Sequence, residues 1–587
     1  MSVHNDVANI LGKLQALARE RRSDDPLLET FFGRYYREVV DNDADDRRLD
    51  DAYAAGVAHL HLGRIREPGT TLVEVLSPEV ERDGWETDSS ILMFVTDDVP
   101  FLVDTVRMVL DRYGLGIHLL VHPMLGVERD SDNRATAIGP GVGKVEAWTQ
   151  IELDRCPPDI RRAVENDVRA AIENVQHVVE DFGPMRERLL ALAGDDPLLA
   201  WMGDQHFVFL GSASYTRDGS DLVLQEGSQL GEYRSGGMLD PTVIDPPVSQ
   251  SDGRLVVART DAVANIHRAV RMTSLAIRPS GSNEEHRFVG LLGSAAYRQS
   301  VFAIPVIGER AEAVIEIVGV SVESHTGRAV RNVVETLPRD VVFEIGTYEL
   351  AEIVNEIVGL QERRIVRVFD VSEPVGPWTT VLVYVPRSRF TAALPDAVAA
   401  LVKEFYGGDV RDLATLLGTS SLARISMTVR ADVVDDPDQL AQAIDAASTT
   451  WEEQARESLI DVLGEIEGQR VFAVVQGSVP AGYQARVRPS IAVGDLVHVA
   501  ALLAPQTGDE LAPQVLTSFG HYFDAAEGRW RFRVFLCNRA ATIAELVPIL
   551  EHLGLPALDE YPSEFESGDD RVFLYDLGVD VGDSTID

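Results

Sequence analysis

Apolar and polar positions alternate along this chain in blocks that change between the period of a strand and the period of a helix. The first clear series begins with an apolar strand, then a helix whose apolar residues recur three and four positions apart. Two further strands and a long helix follow. This βαββα order predicts a small antiparallel sheet with two helices on one face, the ferredoxin-like arrangement. The elements are predicted over Ile91–Val95, Val99–Tyr113, Ile117–Val127, Val145–Leu153 and Pro158–Phe182.

A second series starts in the stretch from Arg331 to Tyr384. There a helix with apolar residues on one face runs into strand-like segments, so we expect a helical hinge that leads directly into a sheet. Strands and helices then alternate again, and acidic residues mark the start of the last helix. The elements are predicted over Ile365–Val371, Trp378–Val385, Phe390–Tyr406, Leu422–Val429 and Asp438–Ile466.

A third unit of the same kind closes the sequence. Trp530, Phe532, Val534 and Leu536 alternate with Arg531, Arg533, Phe535 and Cys537, which predicts a half-buried strand. A helix and the strands Ala557–Phe565 and Arg571–Leu577 follow, without a second helix. In the other units that helix would cover half of a sheet face. We therefore expect an exposed half-face here and a chain that was cut from a longer one.

The middle of the chain has a different pattern of short strands separated by turns rich in Gly, Ser and Pro. The strands are predicted between His206 and Leu292 and indicate an antiparallel sheet of about five strands. The first 64 residues and a connector over Pro184–Ala200 are predicted as helical. A multidomain α+β protein follows from these patterns together.

Composition narrows the class of protein. The 587 residues suffice for about four domains, and an apolar content of 45% suffices for several cores. The 94 acidic and 53 basic residues give a formal net charge of -41, which argues against binding to nucleic acid or to an anionic membrane surface. Only two cysteines, Cys156 and Cys537, are present, so we expect a cytoplasmic protein without disulfides. No apolar run is long enough to span a bilayer, so we expect no membrane helix.

The sequence lacks the motifs that catalysis and metal binding usually require. G-x-G-x-x-G is absent, so no Rossmann domain is expected in this chain. His-Glu-x-x-His, Gly-x-Ser-x-Gly and Cys-x-x-Cys do not occur either, and Lys13, Lys144 and Lys403 each stand alone. We expect no catalytic residue, no bound cofactor and no metal site within these 587 residues.

Six segments with distinctive sequences lie in a fixed order over nearly the whole chain. They are VTDDVPFLVDTVRMVLDRYGLGIHLLVHPML (Val95–Leu125), GDQHFVFLG (Gly203–Gly211), EHRFVGLLGSAAYRQS (Glu285–Ser300), the stretch from ETLPRD to LVYVPRSRF (Glu335–Phe390), SSLARISMTVR (Ser420–Arg430) and LGLPALDEYPSEF (Leu553–Phe565). This series resembles the N-terminal segment of the very large NAD-specific glutamate dehydrogenases of bacteria.

The resemblance implies a protein of several ACT-like units and one PAS-like domain, joined by helical segments. It also implies that the dehydrogenase domain lies beyond residue 587. The chain is then the regulatory and oligomerisation segment of an enzyme that converts L-glutamate, NAD and water to 2-oxoglutarate, ammonium and NADH. NAD would serve the whole enzyme and bind outside this segment. The implied partners are its own catalytic domain, further copies in a homo-oligomer, expected to be a tetramer, and an amino-acid effector.

The resemblance also implies where such an effector binds. In ACT domains it often lies beside the loop between the first strand and the first helix, which here contains Asp97, Asp98 and Phe101. Phe101 stands where that family commonly has glycine, which would let a ligand approach the backbone. In the third unit the candidate residues are Asn538 and Arg539.

The PAS-like domain offers four further polar candidates. They are His206, His267, Arg268 and Arg287, which either face a ligand over the sheet or bond loop carbonyls and neighbouring domains. Two other functions fit the same modules. One is a stand-alone ACT/PAS protein that senses amino acids, and the other is a purely structural assembly scaffold.

Domain boundaries follow from the changes in pattern. The predicted domains are a helical N-terminal segment (1–64), the first ACT-like domain (65–183), the PAS-like domain (184–326), a helical hinge (327–364), the second ACT-like domain (365–468), a helical connector (469–510) and the third ACT-like domain, truncated (511–587).

Overall fold

Four sheets, each packed against helices, succeed one another along the chain in the computed structural model. Neighbouring strands in all four sheets run antiparallel. In the described part of the chain, no helix is long and apolar enough to cross a membrane. The structure describes residues 3–22, 24–37, 49–83, 85–218, 221–235, 254–360, 363, 365–373, 376–418, 420–431, 436–504, 514–522 and 529–581.

The first sheet has both of its faces buried. Its region contains α1 (Val3–Arg21), α2 (Pro26–Tyr35), α3 (Leu49–Gly63), β1 (Leu72–Leu76), α4 (Val80–Asp83), β2 (Ser90–Asp97), α5 (Leu102–Arg112), β3 (Ile117–Val121), β4 (Met124–Arg129), β5 (Ala135–Ile138), β6 (Lys144–Leu153) and α6 (Pro158–Ala193). The strand order is β1-β2-β6-β4-β5, with β3 beside β6. Phe94 and Ile151 pack against α5 and α6, whereas Val95 and Trp148 pack against α1 to α3.

This sheet differs from the prediction in its strands. The single strand predicted over Ile117–Val127 is wrong, because β3 and β4 are separate strands that both pair with β6. Pro123 lies between them and has no N–H to donate, so the ladder is interrupted there. The short strands β1 and β5 were not predicted at all.

Helix α6 is 36 residues long and joins the first two sheets. Val168 packs on the first sheet, whereas Leu189 belongs to the core of the second. The predicted helix end at Phe182 and the separate connector over Pro184–Ala200 are therefore wrong. Pro184 lies on the exposed side of the helix, where the loss of one backbone hydrogen bond is offset by apolar contacts on either side.

The second sheet contains the predicted short antiparallel strands and one more. Its region comprises α7 (Pro197–Trp201), a π-turn (Met202–His206), β7 (Phe207–Asp218), β8 (Asp221–Leu224), β9 (Leu230–Gly231), a 3₁₀ turn (Glu232–Ser235), β10 (Leu255–Val263), β11 (Arg271–Ile277), β12 (Glu284–Leu292), α8 (Ser294–Arg298) and a second 3₁₀ turn (Val301–Ala303). The order is β10-β11-β12-β7-β8, with β9 beside β7. Leu210 and Val289 pack towards the first unit, and Phe209 and Phe288 pack on the opposite side.

A helical segment connects this sheet to the third. The elements are α9 (Ile307–Val318), α10 (His325–Thr336), α11 (Arg339–Glu344), α12 (Thr347–Leu360), β13 (Arg367–Ser372), β14 (Thr379–Pro386), a 3₁₀ turn (Arg387–Arg389), α13 (Leu394–Tyr406), β15 (Val410–Leu416), β16 (Leu422–Val429) and α14 (Pro437–Ser448). The third sheet has the order β13-β14-β16-β15. Val383 and Ile444 lie on its outer, helix-covered face. Leu382 on the other face shares one core with Val354 of α12 and Phe288 of the second sheet.

Two predictions for this region are wrong. Strand β15 was missed, since its residues show no regular apolar alternation. The helix predicted over Asp438–Ile466 is three helices, α14, α15 (Trp451–Leu463) and the start of α16 (Glu465–Val475). Thr450 begins α15 with a capping box, and Gly464 separates α15 from α16 with a φ of 82°.

The fourth sheet follows a small bundle of helices. The remaining elements are α17 (Ala481–Gln484), α18 (Pro489–Leu503), β17 (Val515–Tyr522), β18 (Arg529–Cys537), α19 (Ile543–His552), β19 (Ala557–Ser567) and β20 (Asp570–Val579), in the order β17-β18-β20-β19. Phe535 on one face packs on α15, α16 and α18, and Leu577 on the other packs near α19. On the side of β17, Val515 is 53% exposed and Phe519 is 40% exposed, which fits the expected half-face.

The close approach of α15 and α16 depends on Gly468. A Cβ at Gly468 would lie 2.7 Å from the Ile460 backbone, whereas a Cβ at Gly494, exposed in α18, would meet nothing within 4 Å. We expect Gly468→Ala to lower the free energy of unfolding of this bundle by about 1–3 kcal/mol. Gly494→Ala should raise it by about 1 kcal/mol, because alanine is the better helix former. Urea unfolding of both variants checks this, and equal effects of the two would contradict the close packing.

Candidate functional site

The first predicted effector loop follows β2 and contains Asp97. Its carboxylate accepts hydrogen bonds from Arg66 Nη2 at 2.7 Å and from Lys144 Nζ at 2.6 Å. Burial acts to raise the pKa of Asp97, but the bonds from Lys144 and Arg66 outweigh it and hold the pKa below its ordinary value. Asp97 is thus engaged by its own unit, while Asp98 is exposed in the loop.

Phe101 occupies the start of α5 in a backbone conformation that glycine usually adopts. Its φ is 70°, in the left-handed region. Its ring lies 4.8 Å from the ring of His267, which belongs to the second sheet region. The His267 amide also donates to Thr105 Oγ1 of α5 at 3.4 Å. The predicted loop is therefore packed against a neighbouring unit of the same chain.

The predicted residues of the third unit lie at the end of β18. The Asn538 side chain donates to Asp570 at 2.9 Å and accepts the Arg571 amide at 2.8 Å, so it ties the ends of neighbouring strands together. Arg539 is exposed, and its guanidinium is 3.8 Å from the Glu545 carboxylate. These residues belong to the fourth sheet and Asp97, Asp98 and Phe101 to the first, so the two predicted sets are separate places in this chain.

The four polar candidates of the second sheet make contacts within the chain. His206 stacks on Trp201 at 4.3 Å and its Nδ1 lies 2.8 Å from the Trp201 carbonyl. Arg268 Nη2 donates to the Leu292 carbonyl at 2.9 Å. Arg287 Nε donates to the Glu285 carboxylate at 2.7 Å. The partners Trp201, Leu292 and Glu285 lie at the end of α7 and in β12.

A buried network of charges that the sequence did not reveal joins the second and third sheets. Arg271, at the start of β11, donates through Nη2 to both oxygens of Glu373, at 2.5 and 2.7 Å. Its Nε donates to Asp412 of β15 at 3.2 Å. The ring of Trp378 lies 4.2 Å from the guanidinium carbon, which adds a cation–π contact. The side chain of Arg271 is completely buried.

A second arginine enters the same network from β10. Arg259 Nη2 lies 2.9 Å from the Glu373 carboxylate and 2.9 Å from that of Glu344 in α11, and it donates to Thr380 of β14 at 2.8 Å. Burial raises the pKa of Glu344, although Arg259 opposes this effect. Glu373 thus lies next to a strand of the third sheet and pairs with two arginines of the second sheet.

Asp412 completes the network from a strained position. Its φ is 53°, and the register of β15 shifts there. The carboxylate accepts bonds from Arg271 Nε and from Thr428 Oγ1, the latter at 3.0 Å. The bonds from Arg271 and Thr428, which are both buried, offset the backbone strain of a non-glycine residue in the left-handed region.

A cavity of about 500 Å³ lies beside this network. The second sheet, α10, α11 and the strands β15 and β16 form its walls. Apolar residues such as Leu291 and Met427 line it together with several arginines. Those arginines are Arg259, Arg268, Arg271, Arg339 and Arg424, accompanied by the carboxylates of Glu335, Asp340 and Asp412. The arrangement can hold an anion, since guanidinium groups pair with carboxylate and phosphate.

Only indirect signals in the sequence pointed to these residues. Arg259 ends a strand predicted from Leu255, a position that a buried sheet usually fills with an apolar side chain, whereas Arg271 precedes the strand predicted from Leu275 by four residues. Their partners Glu344 and Glu373 lie 85 and 102 positions away in sequence, so no local spacing could have paired them. Among the described residues no group of three His, Cys, Asp or Glu could hold a metal ion.

The fold is thus a series of antiparallel sheets that alternate with helical segments along one chain. Five family models match it in order: the glutamate dehydrogenase ACT1 domain at 31–168, helical motif 1 at 304–363, the ACT2 domain at 367–452, helical motif 2 at 458–502 and the ACT3 domain at 515–587. The chain belongs to the large NAD-specific glutamate dehydrogenase family.

Similar full-length proteins agree with this assignment. The chain is 28% identical over 603 residues to an NAD-specific glutamate dehydrogenase of Pseudomonas aeruginosa, and the matched region covers 95% of this chain and 37% of that protein. It is 27% identical over 618 residues to that of Halomonas elongata, covering 97% of the chain and 38% of that protein. It is 25% identical over 552 residues to that of Mycobacterium tuberculosis, covering 86% and 32%. The chain thus spans about a third of the length of these relatives.

Removal of Glu373 tests the network. We expect Glu373→Gln to lower the free energy of unfolding by about 3 kcal/mol, because two buried arginines lose a charged partner. The matched control is Glu356→Gln, which breaks the exposed pair with Arg367 and should change stability by less than about 1 kcal/mol. Urea unfolding followed by circular dichroism measures both, and a similar small change in the two variants would show that the buried network is not required.

Proposed function

We propose that this chain is the regulatory and assembly segment of an NAD-dependent glutamate dehydrogenase. The observation that carries the proposal is the coverage: relatives named NAD-specific glutamate dehydrogenase match 95–97% of this chain over only 37–38% of their own length. The whole enzyme converts L-glutamate, NAD and water to 2-oxoglutarate, ammonium and NADH. Its catalytic domain lies outside these 587 residues.

In this proposal NAD binds to the catalytic domain and this segment binds no cofactor. The absence of G-x-G-x-x-G from the sequence supports this division. The buried charges also support this division, because Arg271 and Glu373 pair with each other and hold one sheet of the chain to another. The partners are the catalytic domain and further copies of the protein, as a tetramer in the cytoplasm. The net charge of -41 supports partners other than nucleic acid and membranes.

The proposed domains keep the boundaries that the sequence suggested. The ACT-like domains are 65–183, 365–468 and 511–587, the PAS-like domain is 184–326, and helical segments occupy 1–64, 327–364 and 469–510. Helix α6 extends through the boundary between 65–183 and 184–326, and the core around Leu382 and Val354 is shared across the hinge. The proposed domains are therefore closely packed neighbours, which suits a segment that transmits a signal by small movements of rigid parts.

A purely structural role has support at one place. The contact between Phe101 and His267 fills the space beside the loop where an effector of the first unit was predicted. A ligand at Asp97 and Asp98 would have to displace that contact. We therefore assign the first loop to assembly, while effector binding at Asn538 and Arg539 stays a prediction.

Expression of the complete reading frame that encodes this chain tests the proposal, with the 587-residue chain as the control. We expect the complete protein to reduce NAD in the presence of L-glutamate, and the chain alone neither to reduce NAD nor to bind it in calorimetry. NAD binding by the chain alone would contradict the division of labour. A folded complete protein without glutamate-dependent NAD reduction would contradict the proposed enzyme.

A further inference from the structure

The cavity between the second and third sheets is lined by arginines that have buried donors without an acceptor among the described residues. Nε of Arg268, Arg339 and Arg424, and Nη1 of Arg271, are buried without a hydrogen-bond partner among the described residues. All four arginines line the same cavity of about 500 Å³. Buried polar groups in folded proteins are rarely left unpaired, and charged ones least of all. Four arginines whose donors are only partly satisfied by the described residues therefore surround one cavity, and an anion in it would meet the parts of their guanidinium groups that face it.

We propose that this cavity is a binding site for a small metabolite that carries a carboxylate or phosphate group. Arginine suits both oxyanions, because its planar donors match their paired oxygens. The volume lies within the range of about 300–1,000 Å³ that is usual for small-molecule sites. Apolar neighbours such as Val270, Leu291 and Met427 leave room for the carbon skeleton of an organic anion.

The arginines around the cavity differ in their charged partners. In the described part of the chain, no carboxylate forms a salt bridge with Arg268, Arg339 or Arg424, whereas Arg271 is already paired with Glu373 and Asp412. Burial lowers the pKa of Arg339, although Glu335 opposes the shift, and burial also lowers the pKa of Arg424. An anion placed among these arginines would remove part of that penalty.

Backbone contacts already hold these arginines in place. Arg339 donates to the carbonyls of Glu335 at 2.9 Å and of Gln299 at 3.1 Å, and Arg424 donates to the carbonyl of Thr336. Their remaining donors are thus ordered before a ligand arrives, which lowers the entropic cost of binding.

A ligand in this cavity would have a regulatory effect because of where the cavity lies, and this conclusion rests on the proposed function. Arg268 belongs to the second sheet region, Arg339 to α11 and Arg424 to β16. A ligand that bonds all three holds the second sheet, the helical segment and the third sheet in one arrangement. It can then shift the protein between states, provided that it binds one of them more tightly.

Calorimetric titration of the 587-residue chain tests the site. The probes are 2-oxoglutarate, L-glutamate and inorganic phosphate, each used alone. We expect at least one of them to bind with a stoichiometry near one and to raise the melting temperature. Binding of 2-oxoglutarate or L-glutamate without phosphate identifies a carboxylate site, and the reverse identifies a phosphate site. No heat and no thermal shift with any probe overturns the proposal.

Matched variants locate the site. Arg424→Gln should weaken the binding of that probe by about tenfold or more, the effect of one lost charged hydrogen bond. Arg430→Gln is the control, since Arg430 directly follows the same strand but is exposed and lies 3.5 Å from Asp261; it should leave the affinity unchanged. Arg268→Gln repeats the test from the opposite wall should Arg424→Gln fold poorly. Unchanged affinity in a folded Arg424→Gln or Arg268→Gln variant overturns the assignment.

The outcome is independent of the enzymatic proposal. Binding is measured on the chain alone and needs no NAD and no turnover. A complete protein that lacks glutamate dehydrogenase activity would refute the proposed function while binding at the cavity persisted. An active complete enzyme whose isolated segment binds none of the probes would refute only the cavity site.

Discussion

In the middle of the molecule, Arg259 and Arg271 share one carboxylate, that of Glu373, and the packing of two sheets depends on this contact. Both arginines belong to the second sheet, whereas Glu373 follows the first strand of the third sheet. Moving a guanidinium out of water costs several kcal/mol unless it is paired and hydrogen-bonded. Loss of the Glu373 carboxylate while the sheets stay packed would leave both guanidinium groups buried without this shared partner. The apolar core around Phe288, Val354 and Leu382 holds the same two sheets together.

Local pattern predicted the parts of this fold that obey a regular period. The alternation from Trp530 to Cys537 is strand β18, and the apolar face that contains Val354 is helix α12. It failed at Pro184, which lies inside a helix because contacts on both sides sustain it, and at β15, whose exposed residues lack alternation. The network at Glu373 could not be predicted, since its pairs are about a hundred residues apart and only the fold brings them together.

The predicted effector loop of the first unit is packed within the chain. Phe101 keeps the left-handed backbone that glycine would allow, yet its side chain packs on His267 of the next unit. The same chain builds a different polar cavity where two sheets meet, with arginines from three segments. A ligand at this interface would contact the second sheet, the helical segment and the third sheet at once, and so could favour one arrangement of them. This arrangement suits the proposed regulatory role.

The central claim is that the second and third sheets form one cooperative unit through Glu373. Native-state hydrogen exchange, measured on the intact chain by mass spectrometry of its peptides, tests it most directly. The account predicts that peptides from β10 to β12 and from β13 to β16 lose protection together at one denaturant concentration, and that Glu373→Gln makes their losses separate. Independent loss of protection in the two sheets of the unaltered chain would contradict it.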